Sequence, residues 1–420
     1  MAERLHPCDP LYRQIELARE SQNDGITRDA LAGLSSITLN QGRYTEATQQ
    51  LEECLTLFRA SGDKRGEGRI LNRLGVANEY QGQIERGIEY YEQALALYRE
   101  IGDKREGLLL GNLSDTYITL GQISQALDYA QKALEIHRAI DYRRNQIYDL
   151  LHLADAYANL GQINRALDYF KQAQKANHEV NERLVACLIL NNMSIAYANL
   201  GKMDDAVDCA GRSLLLALEI GTQFGECYAL RVMGEARIAA ENIEGAEEAL
   251  LEAVKIADEI HQAFVSHLAR LDLVRVYLHK GRLERALETV IAARAIRLPQ
   301  THAQTAALHG IILARMDQRE EARAIFYEGL AAAERMLAKT PDLYEQRYMR
   351  GLAQIGLAMI VREPVERGQH LNRALETYQG ALKNCSAGGV IEKMTDLLEE
   401  LAPLDSEGIL APIRGLLVWA

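Results

Sequence analysis

The common signatures of catalytic and metal sites are missing from this 420-residue sequence. It holds no G-x-x-x-x-G-K-[ST] loop that would cradle nucleotide phosphates, and no H-E-x-x-H pair that would bind zinc. The ten histidines do not gather with cysteines or carboxylates at ligand spacing. Cys187 and Cys227 lie in no nucleophile motif. A catalytic triad whose residues meet only in the folded chain would show no such motif in the sequence. We therefore expect a protein that is not an enzyme and that uses no cofactor and no metal.

Asparagine and arginine side chains offer a different chemistry, which is the recognition of peptides. An asparagine amide can donate to and accept from a peptide backbone at once, and Asn191, Asn192 and Asn199 are close in the sequence. Arginine can bind a carboxylate through two parallel hydrogen bonds, as Arg231 and Arg275 could do. For any single one of these residues, the alternative is an ordinary solvated position on a helix. Their value as a set depends on the elements that position them.

A G-x-x-x-x-A segment returns along the chain at a period of about forty residues. The pairs that share one register are Gly42 with Ala47, Gly121 with Ala126, Gly161 with Ala166, Gly201 with Ala206, and Gly281 with Ala286. Gly82 keeps the register with Gly87 in the alanine position, and Glu241 keeps it with Ala246. Such a period indicates a solenoid, in which each unit buries its apolar face against its neighbours.

Each unit has the pattern of two helices. On both sides of Gly82, apolar residues recur three and four apart, which is helical spacing. Gly82 lies where the first helix ends and the chain reverses, a position that favours a residue without a Cβ atom. Small residues seven positions after the alanine position would let two helix axes approach closely. They are Ala94, Ala133, Ala173, Ala253 and Ala293. No proline occurs between Pro10 and Pro299, which suits uninterrupted helices because an interior proline costs roughly 3 kcal/mol.

This pattern resembles the tetratricopeptide repeat over about residues 11–385. The outline L-G-x-x-Y-x-x-x-G-x-x-x-x-A-x-x-x-F-x-x-A-L is visible unit by unit, with Leu74-Gly75, Tyr117, Tyr157 and Tyr197 in its first-helix positions. The resemblance implies an all-α, right-handed superhelical solenoid of antiparallel helix pairs. In such solenoids the first helices line a concave groove, and their polar residues hold extended or helical peptides.

Aligning the units on their first helices selects the polar residues that the resemblance places in this groove. They are Asn72, Arg73, Glu79, Asn112, Asp115, His152, Asp155, Asn159, Asn191, Asn192, Asn199, Arg231, Glu235, Arg275 and His279. We expect a protein or peptide partner to bind there. The carboxylate clamp of chaperone-binding relatives needs a lysine and an asparagine four apart on a first helix, and no unit carries that pair. Capture of an EEVD-type C-terminus is therefore not expected.

The pattern divides the chain into four segments. They are an N-terminal half repeat or capping helix at 1–27, seven regular repeats at 28–298, irregular repeats at 299–385, and capping helices at 386–420 that follow a flexible loop at 386–389. Residues 11–24 have the register of a second helix without a first helix before it. One interpretation is a capping helix. The other is the tail of a longer solenoid or multidomain protein, cut within a repeat.

Composition predicts a cytoplasmic protein that binds neither nucleic acid nor membrane. With 47 basic and 59 acidic residues, the net charge of −12 is unsuited to a phosphate backbone. The start of the chain has no apolar segment of a signal peptide, and no apolar run approaches the length of a membrane span. Six cysteines without C-x-x-C spacing are most simply reduced, buried thiols.

Three functions remain open at this stage. The first is a non-catalytic scaffold that binds a protein or peptide in the groove. The second is the ligand-sensing C-terminal region of a bacterial STAND-type signalling ATPase, whose ATPase and effector domains are absent from this chain, because segments such as Ala402–Asp405 are similar to the tails of those proteins. The third is a peptide-pheromone receptor that controls a response regulator. That family places a helical bundle before its repeats, for which residues 1–27 leave no room.

Overall fold

A computed structural model describes residues 9–418 of the chain. This part contains 21 α-helices, two short 3-10 helices and no strand. The α-helices are α1 (Asp9–Glu20), α2 (Asp24–Asn40), α3 (Tyr44–Ser61), α4 (Lys64–Tyr80), α5 (Ile84–Ile101), α6 (Glu106–Thr119), α7 (Ile123–Ala139), α8 (Arg143–Asn159), α9 (Ile163–Val180), α10 (Arg183–Asn199), α11 (Met203–Ile220), α12 (Gln223–Ala239), α13 (Ile243–Glu259), α14 (Ala263–His279), α15 (Leu283–Ala295), α16 (His302–Arg315), α17 (Arg319–Lys339), α18 (Tyr344–Ile360), α19 (Pro364–Asn384), α20 (Gly388–Glu399) and α21 (Ala411–Val418). The 3-10 helices are Pro299–Thr301 and Ala402–Leu404.

The helices form two compact units. The first consists of the residues up to Thr116 together with Asp128–Asn145, and the second of Tyr117–Leu127 together with the residues from Gln146 onward. Within each unit, consecutive helices pack on each other across short turns, so that neighbours are antiparallel. The predicted fold class, an all-α helical repeat solenoid, is confirmed.

The turn between the two helices of a pair requires a left-handed backbone. Gly82, Gly161 and Gly201 have φ angles of +75°, +74° and +77°, which glycine adopts without the steric cost of a Cβ atom. Glu241 and Asp317 stand in the same position and adopt φ angles of +57° and +59°. The repeat therefore imposes this turn even where the sequence lacks the glycine.

The turn after the second helix also uses the left-handed region, at residues such as Gly62, Gly102 and Asn181. Gln22, forty positions before Gly62, has a φ angle of +51°. Helix α1 thus ends as second helices end, in agreement with its register. Helix α2 already begins at Asp24, inside the segment expected to be the half repeat. Residues 1–8 of that segment lie outside the described part of the chain.

Within a pair, glycines on first helices receive large side chains from second helices. A Cβ atom on Gly75 would lie 2.4 Å from the Tyr91 ring, and one on Gly234 would lie 2.4 Å from Leu250. This packing explains the Leu-Gly dipeptide of the first helix, since any larger residue would push the two helices apart. The small residues predicted at close approaches have no exposed surface, and they are Ala94, Ala133, Ala173, Ala253 and Ala293.

Candidate functional site on the first helices

In the first unit, polar side chains connect successive first helices. Asn112 on α6 donates to Asn72 on α4, with 2.8 Å between Nδ2 and Oδ1. Arg73 donates to the carbonyl oxygen of Ala32 on α2 at 2.8 Å. These three predicted residues are partly buried, whereas Asp115 is exposed. Asn72, Arg73 and Asn112 therefore form hydrogen bonds that join neighbouring repeats.

Glu79 is a polar residue at a repeat position that is apolar in the other repeats. Tyr91 donates its hydroxyl to Glu79 Oε2 at 2.6 Å, and Thr116 donates to Oε1. Burial raises the pKa of Glu79 to about 7, against the opposing effect of these two hydrogen bonds. A Cβ atom at position 87 would lie 3.0 Å from Glu79 Cγ, which accounts for Gly87 in place of the usual alanine. The residues in register with Glu79 are Leu39, Ile118, Ala158, Ala198, Ile238 and Leu278.

In the second unit, Asn192 bridges three first helices. Its Nδ2 donates to Asp155 Oδ1 on α8, and its Oδ1 accepts from the Tyr228 hydroxyl on α12, each at 3.4 Å. Asn159 donates to the carbonyl oxygen of Asp155 at 2.9 Å. His152, also on α8, is partly buried. The structure thus brings Asp155, Asn159 and Asn192 together, and their role in binding a partner stays a prediction.

The expectation that Asn191 lines the groove is wrong, because its side chain is buried. Its side chain is 0% exposed, so it has no direct access to a ligand in this conformation. Neither its Oδ1 nor its Nδ2 has a hydrogen-bond partner among the described residues. The physical reason is that adjacent residues of an α-helix point about 100° apart. Asn191 and Asn192 therefore lie on different faces of α10, and only Asn192 reaches the first-helix surface.

Four charged residues of α12 and α14 form a buried ion network. Arg231 Nε lies 3.1 Å from Asp272 Oδ2, and its Nη2 donates to Glu235 Oε2. Arg275 Nη1 lies 3.6 Å from Asp272 Oδ1. The exposed fractions are 7% for Arg231, 9% for Glu235, 3% for Asp272 and 8% for Arg275. Arg231 was predicted to bind a partner's carboxylate, but the chain's own carboxylates already take its guanidinium.

The network shifts the pKa values of its members. Burial lowers the pKa of Arg231, but Glu235 and Asp272 outweigh burial and keep that pKa above its usual value. Burial would raise the pKa of Glu235, yet Arg231, Lys393 and Arg275 together lower it to about 2. For Asp272, burial and the Glu235 charge raise the pKa. At neutral pH the network holds Arg231 and Glu235 in their charged forms.

Helix α20 covers this network in the second unit. Its Lys393 Nζ lies 3.4 Å from Glu235 Oε1. Asp396 lines a cavity of about 320 Å³ together with Arg275 and His279 of α14. Glu400, the residue after α20, pairs with Arg315 at the end of α16. We call the residues Asn199, Glu235, Arg275, His279 and Arg315 the α20 surface, since each lies on a first helix that α20 approaches.

Glycine permits the close approach of α20 to α10. Residues 386–389 were expected to form a flexible loop, but Gly388 and Gly389 begin α20. A Cβ atom on Gly389 would lie 1.8 Å from the carbonyl oxygen of Ala198. This is shorter than the van der Waals contact distance of non-bonded heavy atoms. Asn199 lines a small cavity with Gly389 and Lys393. The C-terminal segment therefore contacts repeats far from it in sequence, and its role is wider than a cap on the last repeat.

Asp272, Lys393 and Arg315 are residues of this site that were not predicted from the sequence. Asp272 lies in register with Arg73, Asn112, His152 and Asn192, so the same alignment could have selected it. Lys393 carried no signal, because nothing in a repeat pattern says where a helix outside the repeats will dock.

Other chemistry gains no support from the described residues. Within residues 9–418, no group of three or more His, Cys, Asp or Glu side chains has the arrangement of a metal site. Five cysteines are buried and form no disulfide, and burial raises the pKa of Cys54 to about 12 and that of Cys227 to about 11. Cys8 lies outside the described residues. None of the helices described here has the length and apolar character needed to span a membrane.

Sequence models of known families match most of the chain. A model described as tetratricopeptide repeat matches residues 26–100, 67–139 and 105–177, and one described as tetratricopeptide repeat-like domain matches residues 194–347. The chain belongs to the tetratricopeptide repeat family. No curated protein sequence matches it.

Several solved structures are similar to this chain at low sequence identity. A Rap protein complexed with competence and sporulation factor is 15% identical, with a TM-score of 0.56, and the match covers 79% of this chain and 98% of that one. Aspartyl phosphate phosphatase F from Bacillus subtilis is 16% identical, with a TM-score of 0.56 and coverage of 69% and 78%. A STAND protein with a tetratricopeptide repeat sensor from Pyrococcus horikoshii is 15% identical, with a TM-score of 0.49 and coverage of 87% and 54%.

Proposed function

We propose that the chain is a non-catalytic scaffold that binds a protein or peptide along the first helices of its repeats. The observation that carries this proposal is α20 itself. The first helices of the second unit hold a short helix, α20, through a contact at Gly389, an ion pair at Lys393 and an ion pair at Glu400. A surface that holds one helix in this way has the shape and charge to hold another.

The repeat architecture explains how such a surface works. Each first helix contributes one or two side chains, so a ligand that crosses several repeats collects several modest contacts. In this proposal Asn192, Asn199 and His279 contact the partner, and Glu235 and Arg275 provide its charge complement. Arg231 has a different role, because it lies beneath that surface and joins α12 to α14 through Asp272. Asn191 is buried and does not contact the partner. The Rap protein complexed with competence and sporulation factor is a precedent for this fold forming a complex.

Binding to a natural partner tests the proposal directly. The full chain is used as bait, the captured partner is purified, and its affinity is measured by calorimetry for Asn192→Ala, His279→Ala and the exposed control Lys132→Ala. We expect each of the first two changes to weaken binding by about 1–3 kcal/mol, because a hydrogen bond at the interface is lost. Lys132→Ala should leave the affinity unchanged. Equal affinities for all three variants would move the interface away from the first helices.

A further inference from the structure

The contacts of α20 and of Glu400, the residue that follows it, lie along one face of the helix. Gly389, Lys393, Asp396 and Glu400 are spaced four, three and four residues apart, which places them on one helical face. They meet first helices in chain order: Gly389 meets α10, Lys393 meets α12, Asp396 lies across a cavity from α14, and Glu400 meets α16. One residue of this face therefore lies opposite each of four successive repeats.

Four of the five residues of the α20 surface are residues that the repeat pattern selected for partner binding. Asn199, Glu235, Arg275 and His279 all follow from the register of the first helices alone. An occupied binding surface explains both facts. The residues have the positions of ligand contacts, and a segment of the same chain contacts them.

We propose that residues 388–400, which are α20 and the residue after it, act as an internal ligand that occupies the α20 surface, and that a partner helix of the same chemistry displaces them. This inference rests on the proposed function and specifies its partner. The partner is an amphipathic helix with a small residue, a basic residue four positions later, an acidic residue three further on and a second acidic residue four beyond that. The small residue fits against Ala198, the basic residue pairs with Glu235, and the last acidic residue pairs with Arg315.

The two adjacent glycines provide a matched pair of variants. A Cβ atom on Gly389 would meet the carbonyl oxygen of Ala198 at 1.8 Å, whereas one on Gly388 would meet that of Leu200 at 3.9 Å, an ordinary contact. In the full chain, Gly389→Ala should accelerate hydrogen exchange of residues 390–399 by about ten-fold or more, with Gly388→Ala close to the wild type. Exchange in α12 and α14 should stay slow, which shows that the repeats remain folded. Lys393→Glu, which places a negative charge against Glu235, should also release α20 without altering its first turn.

Displacement is measured with a labelled synthetic peptide of residues 386–404. We expect the peptide to bind Gly389→Ala at least about ten-fold more tightly than the wild type or Gly388→Ala, because a tethered segment competes at a high effective concentration. A peptide with glutamate in place of Lys393 should bind none of the three chains with comparable affinity.

The outcomes separate the two proposals. If the peptide binds the wild type and Gly389→Ala equally, the surface accepts helices but α20 does not occlude it, and the inference fails while the proposed function stands. If hydrogen exchange shows α20 released in Gly389→Ala and the peptide still does not bind, the surface is no receptor for helices, and both fail. If neither Gly389→Ala nor Lys393→Glu alters the exchange of α20, the docking geometry itself is wrong and the inference is overturned.

Discussion

Arg231 on α12 donates through Nε to Asp272 on α14 across 3.1 Å, and this hydrogen bond joins two neighbouring repeats inside the protein. Both side chains are almost entirely buried. Buried charges require partners, since an unpaired ion in a protein interior costs several kcal/mol. The pair therefore makes the interface between these two repeats dependent on both residues.

Replacing Arg231 should destabilise the chain strongly. We expect Arg231→Ala to lower the free energy of unfolding by about 3–5 kcal/mol, because it leaves Asp272 and Glu235 buried without their main cation. The control is Arg212→Ala, which breaks an exposed pair with Asp208 on one helix and should change the stability by less than about 1 kcal/mol. Denaturant melts of the full chain measure both. A similar small effect for the two variants would show that Arg231 is solvated, contrary to the burial described here.

Glu79 should make the stability of the protein depend on pH. Its pKa in the folded state, about 7, is raised from the usual value of 4.5. An acid with a raised pKa binds more protons when folded, so its contribution is present at low pH and is lost as pH rises through the folded pKa. Between pH 5 and pH 8 this group should reduce the stability by on the order of 1–3 kcal/mol. In Glu79→Gln that part of the pH dependence should disappear.

The exposed residue Glu85 on α5 provides the control for this test. Melts at pH 5 and pH 8 are compared for the wild type, Glu79→Gln and Glu85→Gln. At pH 8, Glu79→Gln should be the most stable of the three, because the amide carries no charge, its oxygen can accept from one hydroxyl group and its nitrogen can donate to the other. If the stability of Glu79→Gln changes with pH as much as that of Glu85→Gln, the carboxyl group of Glu79 is not the cause.

Two turn glycines with similar backbones should differ in what they tolerate. Gly161 and Gly281 have φ angles of +74° and +65°, so alanine at either position pays the cost of the left-handed region, about 1–2 kcal/mol. A Cβ atom on Gly281 would meet nothing within 4 Å, whereas one on Gly161 would lie 2.5 Å from Cys385 Cβ. Gly161→Ala should therefore cost about 1–3 kcal/mol more than Gly281→Ala in denaturant melts. Equal costs would show that Cys385 does not pack against this turn.

Asn191 should be a residue whose loss stabilises the chain. It is buried, and its amide has no hydrogen-bond partner among the described residues. Burying an amide without hydrogen bonds costs about 1–3 kcal/mol by protein mutational measurements, so Asn191→Leu, of similar volume, should raise the free energy of unfolding. The neighbour Asn192 is the matched control, because Asn192→Leu removes the hydrogen bonds to Asp155 and Tyr228 and should lower it. A loss of stability in Asn191→Leu would show that its amide is satisfied.

The repeat and the fold class could be read from the sequence alone. These signals are local: they are the turn glycines, the small alanines and the spacing of apolar residues. The backbone geometry at a turn such as Gly82 or Gly201 depends on residues only a few positions away. A period of forty residues then dictates how units pack, since each unit has only its neighbours on which to bury an apolar face. For the same reason the repeat register placed Asn192, Glu235 and Arg275 on successive first helices, and their role in binding a partner stays a prediction.

Only the tertiary structure decided which of those residues are accessible and what lies against them. Asn191 and Asn192 differ in burial because adjacent side chains point about 100° apart around the axis of α10. The hydrogen bond of Arg231 to Asp272 depends on the distance between α12 and α14. Nothing in a repeat pattern relates Gly389 to Ala198, because this contact joins parts of the chain that are almost two hundred residues apart. The lack of a Cβ atom at Gly389 permits this contact, but only the folded chain brings α20 against α10.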